Sequence, residues 1–355
     1  MPTRSKDHDQ TRNLDGGRRR PPEPRGAALA ADLPATTINV VGNLGITTQS
    51  KKLEAPFWNE VVKEKSNGAI TANFRPWNEM GLKGSEVFKL LSQGVMNIAS
   101  AQLGHHSGAD PINDGNDLAG LSENFAQFKE LTTAYFPVLQ KYYRDNLGLH
   151  LITMQSFQDQ VLYCTKEIKT LKDLQGRRIR GSGASQSDFV GYFGATPVDM
   201  SFGDVQPALE QGVLDCAITG TLGGYTAKWY ESAKYLYTLP LNFGANAIVA
   251  NAAWWDGLAP EVQEFLTTEI GALSDQMWAL NAEEDEIGSQ CNTTGPCAMG
   301  EPGGMVLVEP SAEDIALRHE ALTNAVLPGW IKRCGDVCKT AFNESLAPIA
   351  GLSIK

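Results

Sequence analysis

The sequence has no apolar run of the roughly 18 residues that a membrane-spanning helix needs. It also lacks positive charge: 30 lysines and arginines face 41 aspartates and glutamates, a net charge of -11. Nucleic acid is therefore not an expected partner, because phosphate contacts require a concentrated basic surface. The one basic run, Arg18-Arg19-Arg20, lies among prolines and reads as a solvated tail. No GxxxxGK[ST] occurs, which excludes the P-loop. "GSGASQ" satisfies only half of GxGxxG, since Gln186 takes the last glycine's place. The acid that should complete a dinucleotide site, Asp199, falls inside "TPVDMS" and not cleanly at a strand end. An oxidoreductase thus lacks both its fingerprint and a nearby acid–base residue, and no catalytic residue or cofactor is expected. Histidines number five and CxxC is missing, so no metal site is expected either.

What is present is globular: 355 residues, 42% hydrophobic and 20% charged, enough for two domains. Four of the six cysteines form two close pairs, Cys291 with Cys297 and Cys334 with Cys338. Glycine or proline inside each pair allows a turn, and Gly335 can end a helix after Cys334. Two local disulfides are expected, and with them an oxidising compartment. Residues 1–25 are charged and proline-rich without an apolar segment, yet "GAALAADLPATT" (26–37) resembles the small-residue end of a secretory signal. Residues 1–35 are read as a tail or an altered signal region.

The order of elements is more informative. "TTINVVGN" reads as a buried strand, and the segment from Thr47 to Gly68 as an amphipathic helix with Leu53, Phe57, Val61 and Val62 on one face. "AITANFRP", "SEVFKLLSQG" and "VMNIASA" follow as strand, helix and strand. The same βαβαβ order recurs from "RRIRG" to "VLDCAITG", after a helical segment near 123–146. This is an α/β chain of two Rossmann-like lobes, each read as a parallel sheet under helices. Ligands in such sheets bind beyond the carboxyl ends of strands. Those ends are Asn43, Pro76-Trp77, Gln102, Arg180-Gly181, Phe202 and Thr219. They hold amides, a hydroxyl, aromatics and one arginine, which is the inventory of a binding site. Arg177 and Arg178 can reach solvent at the strand's start. Arg180 sits at its end before Gly-Ser-Gly, where a guanidinium has room to hold a carboxylate through two parallel hydrogen bonds. The alternative for Arg180 is a surface or interlobe salt bridge. His105-His106, in "LGHHSGAD", reads as a solvated loop pair.

Over about fifty residues, "IKTLKDLQGRRIRGSG" and "GYFGATPVDMSFGDVQPALEQGVLD" resemble the solute-binding proteins of TRAP transporters. The matches include Leu174, Gly176, Ile179, Arg180, Gly194 to Val198, Met200, Phe202 and Gln211-Gly212-Val213. Weaker likeness runs from about 37 to 345, including "NAAWWDGLAPEVQEF". The resemblance implies a periplasmic-binding-protein type II-like fold, two hinged lobes closing on an organic anion in the periplasm. Residues 36–157 with about 245–285 would form the first lobe, and 158–244 with about 286–355 the second. It further implies that Arg180 clamps the ligand's carboxylate, with contacts from Asn43, Gln102, Phe202 and Thr219. The receptor would be a monomer, delivering its ligand to membrane permease subunits. A sensor subunit reporting to a kinase ectodomain would carry the same features.

Three positions depart from the family's pattern. Thr219 replaces an amide with a hydroxyl, Gln160 stands where some members carry a second basic residue, and Trp77 stands where a small residue is common. Less charge and more aromatic surface near a retained arginine favour a monocarboxylate, with an apolar or aromatic body, over a dicarboxylate or a sugar acid. Trp77 packing beneath its own loop is an equal alternative. The family's strand order would also set Cys164 beside Cys216, as a bridge or as neighbouring thiols.

Overall fold

A computed structural model describes residues 33–354. The basic run at 18–20 and most of the signal-like segment lie outside the described residues. The β-branched segment 36–42 forms strand β1 (Thr36–Gly42), whose core-facing Ile38 and Val40 are almost fully buried. A helical stretch over 48–65 follows and buries Phe57, Trp58 and Val62. It stops where Asn67 and Gly68 adopt φ of 51° and 85°, a left-handed pair that cannot continue a helix.

Strands β2 (Ile70–Pro76), β3 (Ile98–Gln102), β4 (Leu149–Gln155) and β10 (Asn246–Asn251) complete a five-stranded sheet in the order β2-β1-β3-β10-β4. Strands β5 (Gln160–Cys164), β6 (Arg178–Gly181), β7 (Thr196–Asp199), β8 (Cys216–Gly220), β9 (Tyr235–Asn242) and β11 (Val306–Val308) form the second, ordered β11-β9-β5-β8-β6-β7. The two repeats read in the sequence are the parallel units β2-β1-β3 and β7-β6-β8. The sheets themselves are mixed and not wholly parallel. Each parallel unit continues through an antiparallel strand, β10 beside β3 and β5 beside β8. Both intruding strands come from outside the repeat they join, so local periodicity could not announce them.

The chain crosses between sheets twice in this region, from β4 to β5 and from β9 to β10. The crossings lie side by side, with Phe157 donating its backbone N–H to the carbonyls of Phe243 and Gly244. The Asp117 carboxylate accepts from Phe243 N (2.8 Å), Ala245 N (2.9 Å) and Asn242 Nδ2 (2.8 Å), which fixes the second crossing. The long helix Pro260–Asn292 spans both sheets. Its Phe265, Leu266 and Ile270 pack in one core with Ile38 and Val40. Near its other end, a Cβ on Gly288 would lie 2.4 Å from the backbone nitrogen of Leu222, so only glycine permits that approach. Between these ends, Asn281 donates to Ser156 O, and Glu284 accepts from Thr48 Oγ1 (2.6 Å) and Gln158 Nε2 (2.9 Å). The C-terminal helical segments contact both the helix Phe125–Tyr142 and the helix Ala184–Tyr192.

All six cysteines are paired. Cys291–Cys297 and Cys334–Cys338 are the two local bridges, and Gly335 ends the helix Leu327–Cys334 as the sequence suggests. Cys164 and Cys216 form the third, as directly opposed residues of β5 and β8 with Cα atoms 4.1 Å apart.

Candidate functional site

The carboxyl ends of β1, β3, β6 and β8 converge where the sheets face each other. There Asn43, Trp77, Gln102, Gln160, Arg180, Phe202 and Thr219 line a single internal chamber. All seven residues named from the sequence are thus brought together, although they lie far apart in the chain. The chamber gives about 40 Å³ to the centres of water-sized molecules. A wider cleft of about 550 Å³ adjoins it, sharing Trp77, His105, Arg180, Ser182 and Phe202.

Arg180 is the chamber's charge, and it is 3% exposed. Its Nε donates to Met200 O (3.1 Å), its Nη1 to Ile218 O (3.1 Å), and the guanidinium lies 5.9 Å from the Phe202 ring centre. Among the described residues its Nη2 has no hydrogen-bond partner and no carboxylate forms an ion pair with it. The salt-bridge alternative is therefore not what the geometry displays. Burial, partly offset by the field of Asp199, lowers its pKa to about 10, so it stays a cation at neutral pH. The neighbouring arginines do otherwise. Arg178 pairs with Asp215 at 3.0 Å, and Arg177 donates to the carbonyls of Lys166 and Glu167.

The turn after Arg180 is held by the residue that spoils the glycine fingerprint. Gln186 Oε1 accepts from Ser182 N (2.7 Å), and its Nε2 donates to Asn242 Oδ1 (2.8 Å) at the second crossing. The sheets touch here. A Cβ on Gly183 would sit 3.0 Å from Gly104 O, and Gln102 Nε2 reaches Ser182 Oγ at 3.4 Å. Ala184 N donates to Ser107 Oγ at 3.3 Å.

The remaining lining residues are neutral. Asn43 Oδ1 accepts from Leu44 N (2.8 Å) and from the Trp77 indole N–H (3.4 Å), while its Nδ2 donates to Asn246. Trp77 lines the chamber and is also part of the core. Gln160 Nε2 donates to Gln158 O at 2.9 Å. Thr219 Oγ1 makes no hydrogen bond among the described residues.

The histidine pair departs from its reading as a solvated loop. His106 is buried and stacks on Phe88 at 3.8 Å, because the segment after β3 turns inward as a short helix, Leu103–His106. His105 lines the chamber, edge-on to Trp77 at 6.2 Å. Its pKa falls to about 4, through burial first and the Arg180 charge second, so the imidazole is neutral. Its place just past Gln102 was the available signal. Phe157 and Gln158, also in the lining, sit on a crossing and not at a strand end, which put them beyond that rule.

Behind Asn43, Glu54 accepts from Asn43 N (2.9 Å) in a fully buried position. Burial raises its pKa to about 7. Burial likewise raises Asp114 to about 7 and Asp117 to about 6. A folded-state pKa above the unfolded one means the fold binds more protons. Stability is then greatest below the unfolded values and falls as pH rises through about 4 to 7. The contribution of these three carboxyls is the gap in stability between pH 5 and pH 8, which in the wild type is offset by His105, His106 and His150, held neutral by burial and acting in the opposite sense. Glu54→Gln should narrow that gap by on the order of 2 kcal/mol. Melts of both proteins across this range check it.

Residues 45–327 match the family model of the bacterial extracellular solute-binding proteins, family 7 (DctP). The chain belongs to that family. Solved structures that share its fold include TRAP periplasmic solute-binding proteins, the family that the motifs around Arg180 resemble. The chain is 23% identical over 243 residues to the 2,3-diketo-L-gulonate-binding periplasmic protein YiaO of Escherichia coli, covering 67% of this chain and 73% of that one. It is 24% identical over 269 residues to the C4-dicarboxylate-binding periplasmic protein DctP of Rhodobacter capsulatus, covering 74% and 78%. Among solved structures, the pyroglutamic-acid-binding receptor DctP7 of Bordetella pertussis superposes with a TM-score of 0.76 at 21% identity. That superposition covers 88% of this chain and 99% of that one. An orotic-acid-bound receptor of Desulfovibrio salexigens gives 0.77 at 18% identity, with the same coverage. The fold is accordingly the two-lobed, type II-like one of this receptor family.

Proposed function

We propose that this receptor works in the periplasm, captures a small organic acid by its carboxylate on Arg180, and hands it to the permease of a TRAP transporter. The carrying observation is a buried guanidinium held by two backbone carbonyls, without a carboxylate partner among the described residues, at the edge of an otherwise uncharged chamber. Two carbonyls orient the group and leave its charge unneutralised. An anion of matching geometry supplies what is missing. Asn43, Gln102, Gln160 and Thr219 offer polar contacts to the rest of the ligand, and Trp77 and Phe202 offer apolar ones. Capture requires no chemistry. The lobes open, admit the acid and close over it.

With one cation and only a neutral imidazole beside it, the chamber favours a monocarboxylate ligand. The small chamber supports a compact one, in keeping with the pyroglutamate and orotate of structural relatives. The lobes are assigned as 36–157 with 245–285 and 158–244 with 286–355, and the receptor acts as a monomer. In a thermal-shift screen of organic acids, small monocarboxylates should give the largest stabilisation. About 3 kcal/mol is expected at a hundredfold excess over Kd. A clear preference for C4-dicarboxylates would remove the monocarboxylate assignment.

A further inference from the structure

His105 is the one lining side chain whose two ring nitrogens are both without a hydrogen-bond partner among the described residues. Nδ1 is sealed against Gly84, where a Cβ would fall 2.2 Å from it. Nε2 is not sealed. The ring lies edge-on to Trp77 at 6.2 Å, and Arg180 is near enough for its charge to act on the imidazole. It stands at the boundary between the chamber and the outer cleft, as Arg180 does. A ring fixed in this way and left unbonded is poised to bond a ligand. His105 and Arg180 line the same chamber and the Arg180 charge acts on the ring, so the atoms of a bound acid nearest its carboxylate are the ones offered to Nε2.

We infer that His105 is a second ligand-binding group. It hydrogen-bonds a heteroatom on the carbon next to the carboxylate and so selects α-substituted acids over their unsubstituted parents. This rests on Arg180 holding the carboxylate. A neutral imidazole suits the task, because it adds a directed hydrogen bond without a second positive charge that would favour dicarboxylates. Gly84 is then a positioning residue, since its missing side chain makes room for the ring.

The test is calorimetric titration of the full chain with three matched pairs: lactate with propionate, 2-hydroxyisovalerate with isovalerate, and mandelate with phenylacetate. The wild-type protein should bind the hydroxy acid of at least one pair about tenfold more tightly. In His105→Leu the ratio within that pair should fall below about twofold, while His105→Gln should retain most of it. Gly84→Ala should lower the ratio too, with the imidazole still present, which separates position from folding. Equal affinities within every pair, binding of none of the six, or a ratio that survives His105→Leu would overturn the inference. Arg180→Met should weaken both members of a pair alike. If it does not, the carboxylate reading fails and His105 is judged on its own ratio.

Discussion

Arg180→Met is expected to abolish useful ligand capture while changing the stability of the unliganded protein little. The two halves of that result have one cause. A guanidinium buried at 3% exposure has surrendered most of its hydration for two carbonyl contacts, and burial has lowered its pKa to about 10. Without an anion, that is a cost of the fold; an apolar side chain of similar length removes it but leaves Met200 O and Ile218 O without this donor, so the two effects largely offset. With the ligand present, the same arrangement becomes the main attraction. Its loss leaves a carboxylate desolvated and unpaired, which costs about 2–5 kcal/mol, or from roughly thirtyfold to a few thousandfold in Kd. Arg180→Lys should recover little, because an ammonium cannot reproduce two parallel hydrogen bonds while also bonding Met200 O and Ile218 O. Paired measurements of Kd and of the ligand-free melting temperature test both halves. Unchanged affinity would refute the clamp, and a large drop in ligand-free stability would mean the arginine is there for the fold.

The strand-end rule reached Asn43, Gln102, Arg180, Phe202 and Thr219 from the sequence because each depends on a short local pattern. A strand's last residue must face the crevice, and glycine marks where the turn begins. What stayed hidden depends on residues meeting across the fold. Glu284 and Asn281 look like ordinary positions of a long helix, yet they bind the first crossing and the helical stretch after β1. Gln186 reads as a failed fingerprint, yet it ties the Arg180 turn to the second crossing through Asn242. The antiparallel strands β5 and β10 carry no local mark of the sheet they enter. For the same reason Cys164 and Cys216 could not be paired from spacing alone. Fifty-two residues separate them, and only the placement of β5 beside β8 makes them neighbours.

That long bridge should matter more than the two short ones. Restricting the unfolded chain stabilises more as the closed loop grows, and a loop of 52 residues corresponds to about 4 kcal/mol, against about 2 kcal/mol for loops of four to six. Cys164→Ala with Cys216→Ala is therefore expected to lower stability by about 4 kcal/mol, roughly twice the effect of removing either local pair. The site should feel it as well. Cys164 and Cys216 face each other at one end of the β5–β8 ladder, and Gln160 faces Gly220 and Val161 faces Thr219 at the other. The carbonyl that accepts from Arg180 Nη1 belongs to Ile218 in the same ladder. A ladder held only by its hydrogen bonds loosens the strand that aims Thr219 and anchors Arg180, so ligand affinity should fall together with stability. Removing Cys334–Cys338, on the helices Leu327–Cys334 and Asp336–Ala341, should cost stability without moving Kd. Denaturant titrations and calorimetry on the two double variants separate these effects, and equal losses of stability from both would show that loop length is not what the β5–β8 bridge contributes.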